Sequence, residues 1–184
     1  MELGVITDGI SRDFEHALQV LTEGGLDRAE LQYVWDSEVG DHSDKEIERI
    51  KTLADAAEVQ ISCISRHNFA GLSVMDTEIG DTVYEQHMEG LRRCIRMAKA
   101  VGSPLVRIMS FRKEMIIFGG NGAQDWIVSG GAWEKFLKLM DAPVKLAEEE
   151  EITLVVETGN NSMITSGYLG RKFVDAMGSD RLRI

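Results

Sequence analysis

The chain alternates short runs of apolar and β-branched residues with longer segments in which apolar residues recur every three or four positions. The short runs are typical of buried strands, and the longer segments are typical of amphipathic helices. The predicted strands are Leu3–Thr7, Ala29–Val34, Gln60–Ser65, Leu105–Ser110 and Ile152–Glu157. The predicted helices cover residues 11–24, 43–57, 81–101, 131–150 and 164–177. Repeated strand–helix units indicate parallel strands with right-handed crossovers, so the predicted fold class is α/β.

Loop lengths narrow the choice among α/β architectures. The connections from helix to strand are short, as at 102–104, whereas those from strand to helix are long, as at 67–80 and 111–130. The long loops therefore gather at the carboxyl ends of the strands, where (β/α)8 barrels and open doubly wound sheets carry their functional sites. Because no strand is followed by a nucleotide-binding glycine motif, we favour the (β/α)8 barrel.

The predicted barrel is incomplete. Arg181–Ile184 has the pattern of the start of a sixth strand. Five βα units and part of a strand do not close an eight-stranded barrel, which needs about 200 residues or more. We therefore expect residues 1–184 to form one incomplete barrel domain, which is either a fragment or an open sheet with an exposed edge.

Composition restricts the classes of partner. The chain has 20 Lys and Arg against 31 Asp and Glu, a net charge of -11, which disfavours nucleic acid and anionic membranes. It has no apolar run of the roughly 18 to 20 residues that span a bilayer and no signal-peptide pattern. Cys63 and Cys94 form neither a C-x-x-C motif nor a disulfide framework. We expect a cytoplasmic protein with no membrane partner and no nucleic-acid partner.

Glu157 is the strongest candidate for chemistry. It ends the apolar run 152–157 and is followed by the turn-forming residues 158–161. A carboxylate at the mouth of a barrel can bind a divalent metal or act as a base. The alternative is a carboxylate that caps a loop or pairs with a basic residue.

Five segments together resemble a known superfamily. In chain order they read GVITDGIS, AELQYVWD, ISRHNFAG, LVRIMSF and LVVETGNN. At these spacings they are similar to the xylose isomerase-like sugar phosphate isomerase/epimerase superfamily, over essentially the whole chain. The resemblance implies the first five-eighths of a (β/α)8 TIM barrel that binds a divalent metal, commonly Mn²⁺, Mg²⁺ or Co²⁺.

The resemblance also implies roles. Members hold the metal with Glu, Asp, His and Glu from their last four strands; Glu157 matches the first ligand, and the other three would lie beyond Ile184. By resemblance, Glu157 is also the catalytic acid/base. The metal would polarise sugar oxygens and stabilise an enediolate while the carboxylate moves a proton. The implied substrate is a sugar or sugar phosphate, and the implied assembly is a homo-oligomer.

Three further residues are candidates to bind the substrate at the same edge. His67 follows the third strand, where it would bind a sugar hydroxyl, hold a second metal as in the related apurinic-site endonucleases, or make an ordinary surface contact. Trp35 follows the second strand, where it would form a wall for the sugar ring or pack under the next loop. Asn160 lies in the turn after Glu157.

Arg107 interrupts the apolar fourth strand and is also a candidate substrate-binding residue. A charged residue within a strand needs a partner, and Glu30 in the second strand is a plausible one. Such a pair would serve the structure or organise the floor of the substrate site. A glycine-rich segment, residues 118–126, would form a mobile lid or cradle a phosphate with its backbone amides.

Three functional hypotheses follow. The first is a metal-dependent sugar isomerase or epimerase, with dehydration of a cyclic polyol as a close variant. The second is an apurinic-site endonuclease-like metal hydrolase, which the net charge of -11 and the 4 histidines disfavour. The third is a non-catalytic barrel fragment or assembly module.

Overall fold

A computed structural model of the chain describes residues 3–113 and 131–184. Its strands are β1 Val5–Ile6, β2 Arg28–Leu31, β3 Tyr33–Val34, β4 Ser37–Glu38, β5 Gln60–Ser65, β6 Leu105–Ile108, β7 Thr153–Val156 and β8 Leu182–Arg183. Its helices are α1 Phe14–Glu23, α2 Asp44–Ala56, α3 Thr82–Val101, α4 Ala132–Glu149 and α5 Gly167–Met177, with a short 3-10 helix at Thr7–Gly9. The predicted alternation of strands and helices is confirmed, and so is the short strand expected near the last residue. The glycine-rich segment 118–126 lies outside the described residues.

The first of two compact units comprises Met1–Arg66 and Gly90–Arg107. In it, β1, β2, β5 and β6 pair in that order, and each pair is parallel. Residues that alternate along these strands, such as Ala29 and Leu31, are completely buried. Helices α1 and α2 contact each other, and their apolar residues add to the same core. The predicted parallel α/β arrangement is therefore present in this unit.

The second predicted strand, Ala29–Val34, is too long. Strand β2 ends at Leu31, and Tyr33–Val34 instead pairs antiparallel with Ser37–Glu38 in a small hairpin. The hairpin turn contains Trp35, whose φ of 52° lies in the left-handed region. The polar residue Asp36 is the sequence signal for this turn. Trp35 consequently lies in the turn of the hairpin and not at the end of a strand of the parallel sheet.

The second unit comprises His67–Glu89 and Ile108–Ile184. Strands β7 and β8 pair in parallel, α4 packs on β7 and α5, and α5 packs on β8. Its core is rich in aromatic residues that are at most 1% exposed: Phe69, Tyr84, Phe111, Phe136 and Phe173. The Tyr84 hydroxyl donates a hydrogen bond of 2.8 Å to the carbonyl oxygen of Leu139 and so is satisfied within this core.

No helix among the described residues is long and apolar enough to cross a bilayer.

Candidate functional site

In the second unit, backbone hydrogen bonds join the segments that follow β5, β6 and β7. The Met109 N–H donates to the Asn68 carbonyl oxygen over 2.9 Å, and the Glu157 N–H donates to the Ile108 carbonyl oxygen over 3.2 Å. Because Ile108 and Met109 are consecutive, Asn68 and Glu157 lie on either side of one extended segment. Two strand spacings, about 10 Å, therefore separate their main chains.

The connection continues beyond the strands. The Arg112 N–H donates to the Leu72 carbonyl oxygen and the Lys113 N–H to the Asn161 carbonyl oxygen, each over 2.7 Å. Arg112 also forms β-bridges with Ser73 and Ser162. Residues 67–74, 108–113 and 157–164, which we call the strand-end segments, therefore form one hydrogen-bonded group.

Two phenylalanines fix the course of these segments. Phe69 and Phe111 both have left-handed backbone torsions, with φ of 66° and 62°. Their rings stack with centroids 5.4 Å apart. The Phe69 N–H donates to Nδ1 of His87 over 3.0 Å, and the His87 ring stacks on the Phe69 ring. These contacts hold the chain directly after Asn68 and Ser110.

Three predicted site residues lie in the strand-end segments. Glu157 follows β7 directly, His67 lies two residues after β5, and Asn160 lies in the turn after Glu157; all three are exposed. In that turn, a Cβ on Gly159 would come within 2.9 Å of the Ser162 Oγ, so a larger residue would displace the Ser162 hydroxyl. The sequence-based expectation that these three residues share one edge of the strands agrees with their positions.

Arg107 lies in the first unit and is only 6% exposed. Its Nη2 donates to the carbonyl oxygen of Ser65 over 3.3 Å. The Ser65 hydroxyl in turn donates a short hydrogen bond to the Glu30 carboxylate. The predicted association of Glu30 with Arg107 therefore takes an indirect form, with Ser65 between them. Burial inside a strand favours the structural alternative for this arginine.

Trp35 also lies in the first unit, where its side chain contacts residues of α1 and α2 and the ring of His42. Its Nε1 donates to Glu15 Oε2 over 3.2 Å, and the Arg49 guanidinium carbon lies 4.6 Å from the centroid of its ring. Burial raises the pKa of Glu15, but hydrogen bonds, including those from Trp35 and the ion-paired Arg49, hold the pKa below its usual value. Since Arg49 occupies a face of the indole, the contacts favour packing over a wall for a sugar ring.

The described residues provide one candidate metal ligand rather than a complete metal site. Within residues 3–113 and 131–184, no group of three His, Cys, Asp or Glu side chains is placed to hold an ion. Glu157 supplies an exposed carboxylate, and carboxylate oxygens are ligands that Mg²⁺ and Mn²⁺ prefer. The Glu157 carboxylate therefore has the right donor atoms to be one ligand of a divalent metal ion.

Ser110 and Asn68 are buried polar residues of the strand-end segments that were not predicted from the sequence. Ser110 is completely buried, and its Oγ accepts a hydrogen bond of 2.9 Å from the Ile164 N–H. Asn68 is 1% exposed. Both stand directly before a phenylalanine just beyond an apolar strand, in Asn68-Phe69 and Ser110-Phe111. That repeated pair of a polar residue and phenylalanine is the signal that was available in the sequence.

Comparisons with known proteins agree with this architecture. The model of the xylose isomerase-like TIM barrel family matches residues 18–184. A search of curated proteins found no match.

Solved structures share the fold at low sequence identity. A xylose isomerase-like TIM barrel protein from Mycobacterium smegmatis, in complex with magnesium, is 18% identical, with a TM-score of 0.64 over 92% of this chain and 54% of that one. An L-ribulose 3-epimerase is 18% identical, with a TM-score of 0.67 over 99% and 59%. A D-psicose 3-epimerase, crystallised in the presence of D-fructose, is 14% identical, with a TM-score of 0.66 over 99% and 62%. The chain thus spans less than two thirds of the length of these structures.

Proposed function

The chain belongs to the xylose isomerase-like TIM barrel family, and we propose that it forms part of a divalent-metal-dependent isomerase or epimerase acting on a sugar or sugar phosphate. The observation that carries the proposal is the position of Glu157. Its exposed carboxylate follows β7 directly, in the strand-end segments that also contain His67 and Asn160. Two of the similar structures are sugar 3-epimerases and a third contains magnesium, which supports this class of substrate and cofactor.

The proposed chemistry is proton transfer at a carbon next to a carbonyl group. Glu157 removes the proton as a general base and returns it as a general acid. The hydrogen bond from its N–H to the Ile108 carbonyl oxygen holds its main chain beside Ile108. A main chain held in this way loses less conformational entropy when the carboxylate contacts the substrate. A bound divalent cation, with Glu157 as one ligand, would polarise the oxygens of the sugar.

The other proposed roles concern orientation and assembly. His67 and Asn160 bind hydroxyl groups of the sugar, since both are exposed at the same strand ends as Glu157. Arg107 and Trp35 support the scaffold, since their contacts are with neighbouring protein groups. A cytoplasmic location and a homo-oligomer complete the proposal.

Solvent deuterium exchange tests the reaction. The protein carrying this chain is incubated in D₂O with Mn²⁺ and D-fructose or D-psicose, and NMR follows deuterium entering the carbon next to the carbonyl. Glu157→Gln should reduce the exchange rate by about 100-fold or more, because it removes the proton acceptor. Glu149→Gln, which neutralises an exposed carboxylate of α4, is the matched control and should leave the rate unchanged.

Two results would contradict parts of the proposal. An unchanged exchange rate in Glu157→Gln would exclude this residue as the base, and an unchanged Mn²⁺ affinity in calorimetry would exclude it as a ligand. Exchange that persists after extraction with a chelator would exclude metal dependence. Absence of exchange with every keto-sugar and keto-sugar phosphate tried would overturn the proposed reaction.

A further inference from the structure

Asn68 has an unusual combination of burial and missing hydrogen bonds. The residue is 1% exposed, yet neither Oδ1 nor Nδ2 of its side chain has a hydrogen-bond partner among the described residues. Its backbone is well held, because its carbonyl oxygen accepts the hydrogen bond from the Met109 N–H. The missing partners are therefore confined to the amide group of the side chain.

A buried amide without partners is unfavourable for folding. The group loses its hydrogen bonds to water and gains none in return, and the great majority of buried polar side-chain atoms in proteins are paired. A leucine of similar size would fill the same space without that cost. We therefore expect an apolar residue of similar size at this position to give a protein at least as stable as the one with asparagine.

The position of Asn68 points to a ligand at the strand ends. It directly follows the exposed His67, and only the segment containing Ile108 and Met109 separates it from the Glu157 segment. The stacked Phe69 and Phe111 rings and the His87 acceptor hold the chain directly after it. Asn68 thus lies in the same hydrogen-bonded group of segments as the proposed base.

We propose that Asn68 is a substrate-binding residue whose amide binds two neighbouring oxygen atoms of a sugar. Oδ1 accepts a hydrogen bond from one hydroxyl group, and Nδ2 donates to the oxygen of an adjacent hydroxyl or carbonyl group. Vicinal oxygens of this kind are present in every keto-sugar. This inference rests on the proposed function, because it assigns a contact within the same site.

Binding in this way requires a local rearrangement. Both amide atoms are closed off from solvent, so a neighbouring side chain moves aside before a sugar reaches them. Association that waits for such a movement is slower than association with an open site. Stopped-flow measurements should therefore give an observed rate that reaches a plateau as the sugar concentration rises.

The test compares stability with sugar affinity in the same variant. Asn68→Leu should keep or raise the thermal unfolding temperature while weakening the binding of D-fructose or D-psicose about tenfold in calorimetry, the loss expected for one or two neutral hydrogen bonds. Gln60→Leu removes an exposed amide at the start of β5, the strand that precedes Asn68, and should leave the affinity unchanged. If Asn68→Leu does not fold, Asn68→Ala removes the amide without adding a branched side chain.

The outcomes separate this inference from the proposed function. Unchanged sugar affinity in a folded Asn68 variant overturns the inference, even if the wild type exchanges deuterium. If the Asn68 variant binds sugar more weakly than the wild type but the wild type shows no deuterium exchange, the inference is supported and the proposed reaction is contradicted. A wild type that binds no keto-sugar overturns both.

Discussion

The ring of Phe69 stacks on the ring of Phe111 with only 19° between the ring planes, although both residues have a left-handed backbone. Such a backbone costs roughly 1 to 2 kcal/mol for a residue with a Cβ. Both residues of the stacked pair carry this cost. The stack joins the strand-end segments that follow β5 and β6, so it fixes the positions of Asn68 and Ser110.

Replacing Phe111 should therefore destabilise the protein strongly. Phe111→Ala removes a side chain that is 1% exposed and contacts both Phe69 and Phe136, so we expect a loss of about 3 to 5 kcal/mol in the free energy of unfolding. Urea denaturation followed by circular dichroism measures this loss. Tyr168→Ala removes an aromatic side chain that is 75% exposed and should change stability by less than about 0.5 kcal/mol. A similarly small effect in Phe111→Ala would show that the stack does not stabilise the unit.

Gly40 is expected to tolerate no side chain. Its φ is 88°, and a Cβ there would lie 3.0 Å from the Cys94 Sγ and 3.3 Å from the Cys94 backbone nitrogen. Gly40→Ala therefore combines backbone strain with a clash, and we expect a loss of about 1 to 3 kcal/mol in unfolding free energy. Gly9→Ala is the matched control, because a Cβ at Gly9 meets nothing within 4 Å. Equal stabilities of the two variants in urea titrations would contradict the packing described here.

Local patterns predicted the helices and strands because each depends on residues close in sequence. The apolar repeat of α2 and the unbroken strand run 152–156 are two examples. The hairpin was missed because Tyr33–Val34 continues the β-type pattern of Arg28–Leu31 without a break. Its antiparallel partner, Ser37–Glu38, is too short to give a strand pattern of its own.

Some features of the candidate site can likewise be predicted from the sequence, and others depend on contacts between distant segments. The position of Glu157 follows from the end of one strand, so the sequence alone predicts it. The burial of Asn68 depends on segments distant in the chain, among them Met109, which binds its carbonyl oxygen, and His87, which binds the next N–H. Arg107 was recognised as a buried charge, but the link to Glu30 through Ser65 needs the register between strands.

Both cysteines should be unreactive in the folded protein. Burial raises the pKa of Cys63 to about 11 and that of Cys94 to about 12. At pH 8 only about one Cys63 thiol in a thousand is then a thiolate, which is the reactive form. We expect slow modification by iodoacetamide in buffer and rapid modification of both thiols in guanidinium chloride, as measured by mass spectrometry. Rapid labelling of either cysteine in the folded protein would contradict its burial.

Asp41 should make the stability of the first unit sensitive to acid. Its Oδ1 lies 2.7 Å from Arg93 Nη2, and its Oδ2 lies 2.9 Å from Arg66 Nη1. Burial raises the pKa of this carboxyl group, but the hydrogen bonds and charges of Arg93 and Arg66 outweigh it, so the folded-state pKa lies below the ordinary value of 3.8. The folded state thus binds this proton more weakly than the unfolded state does.

The sign of the pH effect follows from that difference. The stabilisation by ionised Asp41 is fully present well above pH 3.8 and is lost as the pH falls through the folded-state pKa. We expect Asp41→Asn to lower the free energy of unfolding by about 1 kcal/mol at pH 7, the scale of partly exposed ion pairs. The difference from wild type should shrink below about pH 4 in urea titrations. Asp55→Asn, which removes an exposed carboxylate of α2, is the control, and a wild-type advantage over Asp41→Asn that stays constant down to pH 2 would contradict this account.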